Sequence, residues 1–442
     1  MSANQELIDL ASSVVASAKR YGADEASVSV STGTHVTLQR RAGQVEQLVE
    51  ATSRGLVLSL LSRDRFTSNS TTDLRPDALE AFIKRSVESA SVLEPDPLRR
   101  LPDRERCGRG VSDETLDQDD PSWRTYTPED RHAAAQILEQ RLHELGGLDV
   151  VSCTASVADE RGEGVRVLSN GFADGSAGAW FSIGADMTLA EGDRRPEGFA
   201  YYASRHRGDL PSPERVAAEC VKNVRERLGS RPIESGSYPM ILENRISGRI
   251  LGMLSGPLAG SALHEGRSCL QDKLGSTIAS EALTLTDDPT IPRGMGSRPW
   301  DGDAFAAKPM SVIEGGVLRS YYVSQYYARK LGVEPTTGGR SNWVVAPGMR
   351  SFAEIARDLP RAIQVTGFLG GSANAATGDF SFGIRGVLLE RGEAVASLSE
   401  MNVTGNLLRI LRQLAEIGND PWTWSATRSP SMLFTDVRFS GT

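Results

Sequence analysis

His264 and Glu265, in the stretch SALHEGRSCLQDKLGS (261–276), are the pair with which a zinc-peptidase motif begins. A catalytic zinc takes three N, O or S ligands from protein and leaves one position for water, which a nearby carboxylate deprotonates. In HExxH the two histidines stand four apart, about 40° around a helix, so both face one ion. Here the residue four on from His264 is Ser268, a poor zinc ligand, and five on is Cys269, a good one. Five residues is about 140° around a straight helix. His264 and Cys269 could share an ion only through a bend, which Gly266 would permit. On that alternative His264 and Cys269 are metal ligands, Glu265 is the base, and a third donor is unassigned. His35, His132, His143 and His206 stand at no ligand spacing, and beyond Cys269 there is neither His nor Cys. The residues therefore favour a chain with no metal ligands and no catalytic residue of its own.

Other nucleophile and phosphate signatures are missing. There is no G-x-S-x-G elbow. The run GFLGGSANAATGDFSFG (367–383) lacks the P-loop lysine and opens no long helix, so it reads as turns between strands. Cys107, Cys153, Cys220 and Cys269 are far apart with no C-x-x-C spacing, and read as reduced, buried thiols. A net charge of −8 argues against a nucleic-acid partner. No apolar run reaches the roughly 20 residues that span a bilayer, and residues 1–10 carry Glu6 and Asp9 with no basic region, so neither a membrane nor a signal peptide is expected. The expected location is cytoplasmic.

The elements that must position these residues follow from periodicity. Helical stripes run through Leu7, Leu10, Ala11, Val14, Val15 and Ala18; through Leu79, Phe82, Ile83, Val87 and Ala90; through Ala134, Ile137, Leu138, Leu142 and Leu145; and through Val216, Cys220, Val221, Val224 and Leu228. Thr127-Pro128-Glu129 and Ser212-Pro213-Glu214 are helix starts. Five strand-like pieces lie between the first two helices and four between the second two. The fold class is α+β. Two N-terminal helix–antiparallel-sheet–helix lobes (1–95 and 127–230), joined by a polar linker (96–126), precede a β-rich domain (231–442). In that domain SQYYARKLG and GNLLRILRQLAEIG read as helices ending on glycine, and ERGE as a hairpin turn.

Four stretches of this last domain together resemble the TldD/PmbA family: SALHEGRSCLQDKLGS, RPWDGDAFAAKPMSVIEGGVLRSYYVSQYYARKLG, NAATGDFSFGIRGVLLERGE and VTGNLLRILRQLAEIGND. In that family TldD-type chains carry H-E-x-x-x-H and a late cysteine that hold zinc, and PmbA or TldE-type chains lack them and pair with a TldD-type chain. Here Cys269 stands where the second histidine would be, and DPWTWSATRSPSMLFTDVRFSGT has no cysteine. The resemblance implies a non-catalytic subunit of a heteromeric peptidase acting on small, unfolded or modified peptides. It implies no cofactor in this chain and zinc in the TldD-type partner. A self-sufficient metallopeptidase, or a peptide- or amide-processing protein of a biosynthetic pathway, are the other readings.

Overall fold

Alternating apolar residues build one large sheet from the first half of the chain. In the computed structural model, which describes residues 3–441, the order is α1 (Ala3–Arg20), β1 (Glu25–Arg41), β2 (Gln44–Ser62), β3 (Arg65–Thr71) and α2 (Pro76–Ala90). After a connection holding α3 (Asp113–Leu116) come α4 (Pro128–Gly146), β4 (Val150–Leu168), β5 (Ala173–Leu189), β6 (Glu197–Ser204) and α5 (Pro213–Arg225). The helix–strands–helix order thus occurs twice. The two sets nevertheless share a single six-stranded sheet, β3-β2-β1-β4-β5-β6, because β1 pairs antiparallel with β4 from Ser27↔Leu168 to Arg41↔Thr154. Each helix pair covers its own apolar cluster on that sheet.

The nine expected strand pieces merge into six, because β1, β2 and β4 each run on through the interval between two pieces. Gly33 faces Gly162 across the β1–β4 ladder, and a Cβ on Gly33 would sit 3.5 Å from the Gly162 Cα. Glycine there marks close strand approach, not a strand end. Thr127 and Ser212 cap α4 and α5 as expected, with Pro128 and Pro213 in the first turns. The buried stripe of α4 differs from the expected one: Ile137 and Leu145 are exposed, and Ala135, Leu138 and Leu142 are buried beside Arg131 and Glu139. These two charges are buried because the sheet supplies partners. Arg131 donates to Asp159 at 2.6 and 2.7 Å, and Arg40 donates to Glu139 at 2.8 Å.

The connection read as a polar linker is strapped down. Cys107 and Leu116 are buried, Cys107 bridges to Phe305, and Arg109 forks onto Asp174 at 2.9 and 3.0 Å.

The C-terminal part contains β7 (Gly236–Leu242), α6 (Asn244–Gly252), α7 (Gly260–His264), β8 (Leu285–Asp287), β9 (Met310–Glu314), β10 (Val317–Leu318), α8 (Gln325–Leu331), β11 (Trp343–Val345), α9 (Phe352–Arg357), β12 (Ala362–Ala373), β13 (Asp379–Glu390), β14 (Glu393–Asn406), α10 (Leu407–Arg412), β15 (Leu414–Ile417), β16 (Thr427–Arg428) and β17 (Met432–Ser440). A small sheet has the order β10-β9-β8-β11-β16. The larger runs β14-β13-β12-β7-β17-β15 and closes on itself through β14–β17 pairing. The ERGE turn is present: Arg391 and Gly392 both have positive φ, as a two-residue hairpin turn requires. Gly332 caps α8 in the left-handed region, as read. GNLLRILRQLAEIG is helical only over α10. Its second half becomes β15, because pairing of Leu414 and Ile417 with β17 overrides the helical spacing of its leucines.

Candidate functional site

The five-residue helix α7 ends at His264, Glu265 is its C-cap, and Gly266 turns the chain at φ +64°. The bend that Gly266 permits is therefore present, but it does not gather ligands. The exposed His264 ring lies 6.2 Å from the Tyr327 ring on α8. Glu265, also exposed, ion-pairs with Arg267. Ser268 is buried, donating to the Pro257 carbonyl at 2.6 Å and accepting from the Leu270 amide at 3.0 Å. The Cys269 amide donates to the Ala375 carbonyl at 2.9 Å. Its thiol lies against the 374–378 turn, 3.4 Å from where a Cβ on Gly378 would be, and burial pushes its pKa up. His264 and Cys269 thus serve different neighbours. The remaining histidines are engaged elsewhere: His132 with Arg40, His143 with Cys153, His206 with the Asp117 carbonyl and His35 with Thr37. Among the described residues no three His, Cys, Asp or Glu side chains come together as a metal group. The donor set around His264 does not fit a zinc ion.

A cavity of about 900 Å³ is lined in part by Asn374, Ala375 and Gly378 of the same turn. It forms where β7 stops. β12 pairs in parallel with β7 only from Ile363 to Val365, and a bulge then carries β12 away. From Thr366 to Ala373 it is paired on one side alone, with β13, and Leu369–Ala373 are exposed. Thr366–Phe368 and Gly370–Ala373 of that free edge line the cavity. Gly370 and Gly371, with φ +54° and +98°, form a second bulge. At Gly371 a Cβ would meet the Ser381 carbonyl oxygen at 2.2 Å, so only glycine fits. The opposite wall is α6, whose Arg245, Gly248, Arg249 and Gly252 share a face. Arg227 from the turn after α5, Arg340 and Arg385 complete a lining of five arginines with no aspartate, glutamate or lysine. Phe199, Phe368 and Phe382 add apolar surface. Burial, reinforced by the Arg385 charge, pushes the Arg227 guanidinium down to about 10.

Sequence reasoning missed this cavity. Its arginines are scattered from 227 to 385, and no local pattern joins them. The one local signal is the glycine run: its 374–378 stretch is the turn between strands that its composition predicts, and Gly367–Ala373 before it are the free strand.

Family models describing the PmbA/TldA metallopeptidase C-terminal domain and domain 1 match residues 235–441 and 25–90. The Metalloprotease PmbA of Escherichia coli O157:H7 is 28% identical over 422 residues, covering 95% of this chain and 92% of that protein. The Haemophilus influenzae Metalloprotease PmbA homolog is 25% identical, covering 99% and 96%. A Bacteroides thetaiotaomicron structure, described as a candidate modulator of DNA gyrase, superposes with a TM-score of 0.94 at 34% identity over 98% of both chains. Thermococcus kodakarensis TldE shares the fold, with a TM-score of 0.84 at 19% identity over 98% of this chain and all of that one.

Proposed function

The chain belongs to the PmbA/TldD metallopeptidase family, and from that premise we propose that it is the non-catalytic, TldE-type subunit of a two-component peptidase. The observation that carries this reading is the free edge of β12 along a cavity of about 900 Å³ whose walls bring no zinc donor set together. An unpaired strand edge binds an extended chain through its backbone with little sequence preference, which suits small, unfolded or modified peptides. Zinc and the water-activating carboxylate would come from a TldD-type partner, and this chain would hold and admit the peptide. No helix of the described residues is long and apolar enough to cross a membrane, and we place the complex in the cytoplasm.

The test is to co-purify this chain with the TldD-type chain of the same genome. A heteromer on size exclusion, with peptide cleavage that needs both chains, is the expected result. Separate elution at micromolar concentration, or full cleavage by either chain alone, overturns the proposal.

A further inference from the structure

We propose that the cavity between α6 and the free edge of β12 is a carboxylate site, which takes a terminal or side-chain carboxylate of an extended peptide. This rests on the reading of the β12 edge as a peptide site and adds what the peptide must carry.

The argument is one of unbalanced charge. Arg245 is neutralised by Glu219 and Glu243. Among the described residues Arg227, Arg249, Arg340 and Arg385 have no carboxylate within ion-pair distance. Arg249 and Arg340 lie over the Phe382 and Trp343 rings, 5.3 and 5.0 Å from the centroids, and their contacts there are with π-faces. The Nη1 of Arg227 is buried with no hydrogen-bond partner. Arg227 and Arg385 act on each other as like charges, an arrangement that opposes folding by itself and whose sign a bound anion reverses. Guanidinium groups recognise carboxylates through two parallel N–H donors, which makes arginine the apt residue.

The strand edge selects the kind of anion. Arg385 stands opposite Gly367 in the β12–β13 ladder, and a Cβ on Gly367 would lie 3.8 Å from the Arg385 Cβ. With no side chain at Gly367, the guanidinium has a clear path beside the exposed backbone. A peptide laid along Thr366–Ala373 advances about 3.3 Å per residue. Its backbone would pair with β12, its apolar side chains would meet Phe368 and Phe199, and a carboxylate would fall among the arginines. A free phosphate or a nucleotide would use the arginines and leave the strand edge unused.

The experiment is calorimetric titration of the isolated full-length chain, which needs no partner and no cleavage. The probes are a seven-residue alanine–threonine peptide with a free C-terminus, its C-terminal amide, and the amide carrying one internal glutamate. The free acid is expected to bind at least about tenfold tighter than the amide at low salt, with the gap closing as salt rises. The glutamate-containing amide identifies the source. Binding like the free acid assigns a side-chain carboxylate, and binding like the plain amide assigns the terminus. In Arg249→Gln/Arg385→Gln the gap is expected to vanish, and Arg340→Gln alone should narrow it. Circular dichroism checks that each variant folds. Equal binding of all three probes, a gap that survives in the double variant, or displacement by inorganic phosphate at the peptide's own concentration overturns the proposal. If the plain amide binds while neither carboxylate-bearing probe gains, the carboxylate site fails and the peptide groove stands. If no probe binds, both fail.

Discussion

Replacing His264 and Glu265 together by alanine separates a peptide-holding subunit from a catalytic one. Both residues are exposed, so the cost to folding is small. The ion pair lost, Glu265–Arg267, has side chains 38% and 71% exposed, and such pairs are worth roughly 0–1 kcal/mol. The aromatic contact of His264 with Tyr327 at 6.2 Å adds about 0.5 kcal/mol, the low end for ring pairs. The summed loss is under about 2 kcal/mol, too little to unfold a domain of ordinary stability. The effect on rate differs by orders of magnitude between the two roles. A zinc ligand or catalytic base removed with its activated water lowers the rate by about 10²-fold or more. The assay is peptide cleavage by the reconstituted pair, comparing His264→Ala/Glu265→Ala with the unaltered chain after size exclusion shows that both assemble. A change below about fivefold is expected. A hundredfold loss with assembly intact would refute the assignment and place the chemistry on this chain.

Elemental analysis of the chain purified with added zinc should give far less than one zinc per chain, unchanged in Cys269→Ser; stoichiometric zinc that is lost in that variant would favour the self-sufficient alternative. Asp159→Ala should destabilise the protein by about 3–5 kcal/mol in urea titration, because Arg131 and the Trp123 indole both donate to this fully buried carboxylate and the arginine would be left unpaired. Gly371→Val should lower peptide binding sharply, since the Cβ would strike the Ser381 carbonyl and displace the β12 edge; a variant that binds normally argues against that edge. Burial raises the Cys153 thiol from 9.0 to about 11 and Cys220 to about 12. The unfolded chain therefore releases these protons first. Their contribution to stability should stay level below pH 9 and fall above it, and replacing both by alanine should flatten that slope in denaturant titrations at pH 8 and pH 10.

Local periodicity carried the helices and their caps, since α1 buries Leu7, Ala11, Val14, Val15 and Ala18 as its spacing requires. It failed where the deciding partner lies far off in sequence. Nothing near Arg131 or Glu139 announces that Asp159 and Arg40 will neutralise them, so the expected stripe of α4 holds Leu138 and Leu142 correctly but includes the exposed Ile137 and Leu145 in place of those two charges. Leu414 and Ile417 fit a helix by spacing, and only β17, about 20 residues on, makes them a strand. The same limit hid the union of the two N-terminal units. The β1–β4 ladder joins residues more than 100 positions apart, and the close approach of Gly33 to Gly162 within it is a property of the pair that neither segment shows alone.

The site follows that logic in reverse. The His264–Glu265 dipeptide is conspicuous because it is local, yet the residues of this stretch are engaged separately: the His264 ring with Tyr327, Glu265 with Arg267, the Ser268 hydroxyl with the Pro257 carbonyl, and the Cys269 backbone amide with the Ala375 carbonyl. The cavity is silent in sequence because it is assembled from α5's end, α6, β12 and β13. Its two halves still depend on one event, the end of β7 at Leu242. Where β7 stops, α6 begins and points Arg245 and Arg249 across the gap, and β12 loses its neighbour on that side. Extending β7 by pairing would close the strand edge and displace the arginines together. A substitution that lengthens the β7–β12 ladder should therefore abolish peptide binding and the carboxylate preference in one step, whereas independent sites would fail separately.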